Sequence, residues 1–214
     1  MIFLPNGASI AIAALAAAKA ITGISNAAPA VATAPGHGVA AGVPVLLSSG
    51  WGRLDGRVVR AGDPDTNTFK LLGIDTTDLL RFPASGGAGS LQAAASWTEI
   101  TQILDSSSGG GEQQFYNYSY LEDPEGTERQ MPTNKSARSF TLTLGDDPAK
   151  AWYAALDATD QAKLPTVVRV VLPSGSVIFY VAYVSFDKIP KIAKNQGMSV
   201  TAVFAIQSFN RYAA

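Results

Sequence analysis

The chain has 214 residues, enough for one large or two small domains, and its 16 Lys+Arg against 17 Asp+Glu leave a net charge of -1. That balance supplies no long-range field for nucleic acid or anionic membrane, and the absence of cysteine excludes a disulfide framework, a thiolate nucleophile and a sulfur-ligated metal. Only 15% of residues are charged while 47% are hydrophobic, a weakly polar balance that points to surface covered by copies of the same chain.

Residues 1–7 read as an apolar arm whose Ile2, Phe3 and Leu4 have no local partner, so the arm is expected to dock on the body or on a neighbour. The Ala-rich run 8–18 has the texture of a signal sequence. No Lys or Arg precedes Lys19, however, and Pro5-Asn6-Gly7 interrupts its start, so a cleaved signal is not expected. The run also falls short of the ~20 residues that a membrane-spanning helix needs. Within it, 9–15 is open between helix, favoured by alanine, and strand, favoured by the alternation of Ile10 and Ile12 with small residues.

From Ala20 to Pro83, short strand-like runs recur between turn residues, the texture of a small all-β module. Strands are expected over 20–25, 30–33, 43–48, 57–61 and 68–74. The only histidine, His37, would have to serve any catalytic triad or histidine metal site, but it lies between Gly36 and Gly38 and reads as a turn residue. Asp63, Asp65 and Asn67 lack the Gly and terminal Glu of an EF-hand loop and read as a turn.

Ala84 to Ser90 reads as a flexible Gly/Ser connector. The expected division is therefore an arm and first strand over 1–19, an inserted β-module over 20–83, a linker over 84–92 and a main domain over 93–214. In the main domain 97–104 reads as a strand, 106–111 as a second flexible stretch, and 113–121 as a strand with Tyr116, Tyr118 and Tyr120 on one face. Such a stripe is a packed or subunit-contact face, or a platform for sugar or base. Residues 122–135 form a long, charged, turn-rich connection, and 137–144 alternates with Phe140, Leu142 and Leu144 inward.

The strongest apolar pattern lies in 146–212. Asp147 as N-cap and Pro148 at the first helical position announce a helix with Ala149, Trp152, Tyr153 and Leu156 on one face, stopped by Pro165. Residues 177–186 are apolar or aromatic at nearly every position and read as a central strand buried on both faces. Flanking strands 166–172 and 198–209 alternate one-sidedly.

The sequence carries no phosphate loop, dinucleotide fingerprint, nucleophile elbow or zincin motif. Glu122, Asp123, Glu125 and Glu128 lie on a loop without apolar walls to raise a pKa, and read as a solvated face. Lys188, Lys191 and Lys194 read as a solvated connection between strands that could also meet an acidic neighbour. No enzyme activity, cofactor or metal is expected.

Taken in order, Pro5-Asn6-Gly7-Ala8-Ser9, Gly109 to Gln114, Lys135 to Leu142, the Asp147-Pro148 helix with Trp152, and Phe209-Asn210-Arg211-Tyr212 resemble the major tail tube proteins of long-tailed (siphovirus-type, non-contractile) bacteriophages. The segment 21–73 resembles a small β-module that recurs in phage structural proteins. The resemblance implies a mainly β fold, a sandwich with one flanking helix, and favours a strand over 9–15. It implies rings, usually of six subunits, stacked into a tube that conducts DNA without sequence-specific binding. Partners would be the chain itself, the tail terminator, the tape measure and tail-tip proteins, with no membrane. The protein would reside in the virion tail after assembly in the host bacterial cytoplasm, with the inserted module outside the tube. Expected assembly elements are a stacking loop of Glu122, Asp123, Glu125, Glu128, Arg129 and Met131, the arm residues Ile2, Phe3 and Leu4, and a basic segment of Lys188, Lys191 and Lys194. A carbohydrate-binding or adhesin-like β protein and a carboxylate hydrolase are the readings in other classes.

Overall fold

Residues 6–213 are described by a computed structural model. The expected arm residues Ile2, Phe3 and Leu4 lie outside the described residues. Strand β1 (Ser9–Leu15) settles the open reading of that segment in favour of alternation. The segment expected as an inserted module carries β2 (Lys19–Ile21), β3 (Gly23–Ile24), β4 (Ala30–Thr33), β5 (Pro44–Ser49), β6 (Arg57–Gly62) and β7 (Thr68–Leu71). Next come β8 (Gly89–Ile100), β9 (Ile103–Gly109), β10 (Gln113–Tyr118), β11 (Arg129–Lys135) and β12 (Arg138–Gly145). Helix α1 (Ala151–Ala162) precedes β13 (Thr166–Val171), β14 (Val177–Lys191) and β15 (Ser199–Tyr212).

The pairings are antiparallel, and they join thirteen strands in the order β3-β4-β7-β6-β5-β8-β1-β13-β14-β15-β12-β9, with β2 on β8. Strands β10 and β11 form a separate two-stranded sheet. The fold is thus mainly β with one helix, as expected. The two layers of the expected sandwich arise because one long sheet curls back on itself. Alternation along β5 and β6 shows this: Val45, Leu47 and Val59 enter the module core, while Leu46 and Val58 point the other way and meet Phe179 and Val181 of β14. Side chains of β15 fasten the same contact, Ser208 Oγ donating to Gly56 O at 2.7 Å and Asn210 Nδ2 to Val58 O at 2.6 Å.

The other face of β14 packs Ala182, Val184 and Phe186 against Trp152 and Leu156 of the helix, with Val168, Val200, Ala202 and Phe204 from its neighbours. Burying a tryptophan this fully contributes several kcal/mol, since Trp→Ala in a core costs roughly 3–5 kcal/mol. The double-sided burial expected over 177–186 ends at Ala182. Beyond it β6 no longer covers the second face, and Tyr183 and Ser185 are exposed.

The helix, the 84–90 stretch and the 106–111 stretch each depart from the expectation. The helix starts at Ala151, with Lys150 as an extended N-cap lacking a side-chain cap bond. Asp147 instead closes a turn, its carboxylate accepting the Ala149 N–H at 3.2 Å and its carbonyl the Lys150 N–H at 3.1 Å. Left-handed Lys163, donating to the Thr159 and Asp160 carbonyls, ends it before Pro165 is reached.

The Gly/Ser stretch 84–90 is fastened rather than loose. Trp51 Nε1 donates to Pro83 O at 2.9 Å, Gly50 N–H donates to Ala88 O at 2.9 Å, and a Cβ on Gly89 would lie 2.0 Å from Ser48 O. These glycines permit close backbone approach, and β8 already begins at Gly89. Ser106 to Gly109 likewise form an edge strand with β12, while Gly110 and Gly111, both at positive φ, turn the chain out of the sheet; a Cβ on Gly110 would meet Ala137 O at 1.8 Å.

His37 is a buried turn residue. Its Nδ1 accepts the Val39 N–H at 3.0 Å, so the proton sits on Nε2, which donates to Asp65 O at 2.7 Å.

Candidate assembly surface

The Gly110-Gly111 turn launches β10, and the chain returns along β11, with Tyr116 opposite Met131 and Tyr118 opposite Arg129. The long connection expected over 122–135 is therefore half strand: Arg129 and Met131 belong to β11, and the loop proper is 119–128. The alternation of β10 places its tyrosines on one face, as expected. Tyr116 and Tyr118 stack with centroids 6.2 Å apart, Tyr118 meets Tyr120 edge-on at 5.5 Å, and the Arg129 guanidinium lies 5.2 Å over Tyr120. Little of this is covered. Phe115, Tyr116, Tyr120 and Met131 are all half exposed or more, Leu121 is fully exposed, and every residue of β11 faces solvent.

At the tip, Asp123 accepts the Glu125 N–H at 3.1 Å, and the turns Tyr120–Asp123 and Asp123–Gly126 are backbone-bonded. Glu122, Glu125 and Glu128 are exposed. A two-stranded ribbon with apolar side chains in water is marginal by itself. Unsatisfied apolar area of this kind is what an assembly interface supplies with a partner.

The lysine segment lies elsewhere. Lys188 and Lys191 belong to β14, and Lys194 to the turn before β15. Lys188 is paired with Asp157 of the helix at 2.8 Å, while Lys191 and Lys194 are exposed, flanked by exposed Ile189, Ile192 and Met198. Strand β9 ends the sheet order with one edge unpaired among the described residues, carrying Asp105 and three serines. Among the described residues no group of three or more His, Asp or Glu side chains is placed to hold a metal ion. Among the described residues no helix is long and apolar enough to cross a membrane.

The sequence matches the family of phage tail tube proteins over residues 49–214, which is 166 of the 214 positions. The chain belongs to that family. No curated protein matches it in sequence. Among solved structures it is similar to a chain of the native gene transfer agent virion, at 11% identity and a TM-score of 0.42, covering 55% of this chain and 89% of that one. It is similar to the same extent to a chain of the empty gene transfer agent particle's tail with C6 symmetry, at 10% identity and a TM-score of 0.42, covering 55% and 86%. A chain of the sheath/tube terminator of an extracellular contractile injection system follows at 15% identity and a TM-score of 0.38, covering 54% and 87%. These likenesses are loose, and membership of the tail tube family stands on the sequence match. The chain is accordingly a structural component of a phage tail tube.

Proposed function

We propose that copies of this chain close into rings of six and that the rings stack into a hollow tube along which phage DNA passes to the host, in a flexible, non-contractile tail. The observation that carries the stacking reading is the β10–β11 hairpin, which leaves the sheet and exposes Phe115, Tyr116, Leu121 and Met131 with no partner strand among the described residues of its own subunit. At ~3.3 Å per residue, six paired residues carry its tip roughly 20 Å from its base, far enough to touch an adjacent ring. The stacking element is Glu122, Asp123, Glu125, Glu128, Arg129 and Met131, with apolar contacts supplying strength and the carboxylates setting register.

The open edge of β9 is where a neighbour's strand would extend the sheet around the ring, since closure removes such edges. The arm residues Ile2, Phe3 and Leu4 would add a second contact between copies. Lys191 and Lys194 would be free to meet acidic groups of a neighbour, whereas Lys188 is already held by Asp157. The subunit's role is structural, without catalysis, and its further partners are the terminator, tape measure and tail-tip proteins.

Joining Gly111 to Ser136 by a four-residue turn tests this reading. The expected variant is folded, melts like the full chain and sediments only as subunits or single rings. Variant tubes of normal length would show that stacking lies elsewhere.

A further inference from the structure

Between the inserted module and the root of the hairpin lies a cleft of about 760 Å³. Its walls bring together Arg53, Arg57, Arg81, Lys135 and Arg138, five of the chain's 16 basic residues, from the β5–β6 turn, the segment before β8, and both sides of the β11–β12 turn. Among the described residues most of them have no ion-pair partner. Arg81 is paired with Asp78 at 3.0 Å and Arg138 lies 4.8 Å over the Phe209 ring, but among the described residues Arg53, Arg57, Lys135 and Arg138 take part in no ion pair. Two carboxylates share the walls, and both are already fastened by their own chain. Asp55 accepts the Ser49 N–H at 3.1 Å, and Asp75 accepts the Thr77 N–H at 2.9 Å and its hydroxyl at 2.7 Å. Phe82, Ile206 and Phe209 supply an apolar lining.

We infer that this cleft receives the β10–β11 tip of another copy, the exposed carboxylates Glu122, Glu125 and Glu128 and the half-buried Asp123 meeting its cations and Leu121 meeting its apolar lining. The inference rests on the reading of the chain as a tube subunit, and names the acceptor surface that the reading lacks. Complementarity of charge and of polarity carries it: four carboxylates within seven residues, beside a fully exposed leucine, face a cationic cleft with an apolar lining. The tip cannot serve its own cleft, because the hairpin starts from the cleft's rim at Lys135 and carries its tip roughly 20 Å away. Each copy therefore donates one tip and accepts another, a head-to-tail contact that propagates as a filament unless it closes into a ring.

Charge reversal on exposed positions tests the pairing. Arg53→Glu with Lys135→Glu, and separately Glu122→Lys with Glu125→Lys, should each raise the critical concentration for tube assembly by at least about tenfold without moving the melting temperature. Combining all four reversals should restore assembly. Assembly unaffected by the cleft reversal, or no recovery in the combined variant, overturns the pairing. So does a loss on Lys191→Glu with Lys194→Glu that the tip reversal rescues, or a duplex oligonucleotide whose binding the cleft reversal abolishes while assembly is normal.

The cysteine-free chain permits a second readout that does not need tubes. Thr127→Cys at the tip with Gln207→Cys in the cleft should give a ladder of disulfide-linked multimers on oxidation. A ladder from a chain that never forms tubes upholds the pairing while refuting the tube. Tubes without a ladder refute the pairing alone, and neither tubes nor a ladder refutes both.

Discussion

The Tyr212 hydroxyl accepts the backbone N–H of Arg60 at 3.0 Å while the Arg60 guanidinium lies 5.2 Å over the Tyr212 ring, so two residues far apart in the chain hold the module to the last strand from both sides. Tyr212→Phe keeps the ring and leaves that N–H without its partner. A cost of about 1–2 kcal/mol is expected, a fall of roughly 2–8 °C in melting temperature for a chain of this size. Arg60→Ala keeps the N–H bond and loses only the cation–π contact, worth about 0.5–1 kcal/mol, so thermal melting should rank it as the milder change.

The shared core between module and main sheet sets what removal of the module would do. Leu15 and Ala94 face each other in the β1–β8 pair, so residues 17–92 could be replaced by a short hairpin turn without stretching the chain. Excision would uncover Phe179 and Val181, now 4% and 1% exposed, because Leu46 and Val58 leave with the module. The excised chain is expected to bind a hydrophobic dye and aggregate. Adding Phe179→Thr and Val181→Thr should restore a monodisperse subunit able to assemble, which light scattering and microscopy would check. Failure of the repaired variant to assemble while folded would place the module in the tube wall.

The hydrogen bonds from Lys188 and then Gln161 hold the Asp157 carboxyl below the usual carboxylate range, and the Asp157 hydrogen bond raises Lys188. A depressed carboxylate stabilises the fold above its unfolded value near about 3.9 and loses that contribution as pH falls through its folded value. The raised lysine gives the same answer from the other side, its contribution fully present below about 10.4 and lost as pH rises through its folded value. Asp157→Asn should therefore lower stability slightly across neutral pH and converge with the unaltered chain in acid, as urea midpoints taken at several pH values would show.

Much of this was legible in the residues. The strands over 30–33, 57–61 and 137–144 could be read within a residue or so, because alternation and turn glycines act locally. Glycine misled in a consistent way. Gly86, Gly87 and Gly89 look like a flexible linker, yet each sits where a Cβ would meet Trp51 or Ser48, a requirement set by residues some forty positions away. The hairpin was half visible: its tyrosine stripe and acidic tip stood out, but strand β11, with Pro132 and no apolar alternation, pairs only because β10 lies beside it. The basic cleft left no sequence signal, since Arg53, Arg57, Arg81, Lys135 and Arg138 converge only through the curl of the sheet.

The most direct test of the central claim is electron microscopy of the purified full-length chain across a concentration series. Membership of the tail tube family and an unpartnered hairpin predict hollow tubes of stacked rings with a continuous axial channel wide enough for duplex DNA, appearing above a critical concentration. A chain that remains a dispersed, folded monomer at every concentration, or that forms filaments without a channel, would contradict the account.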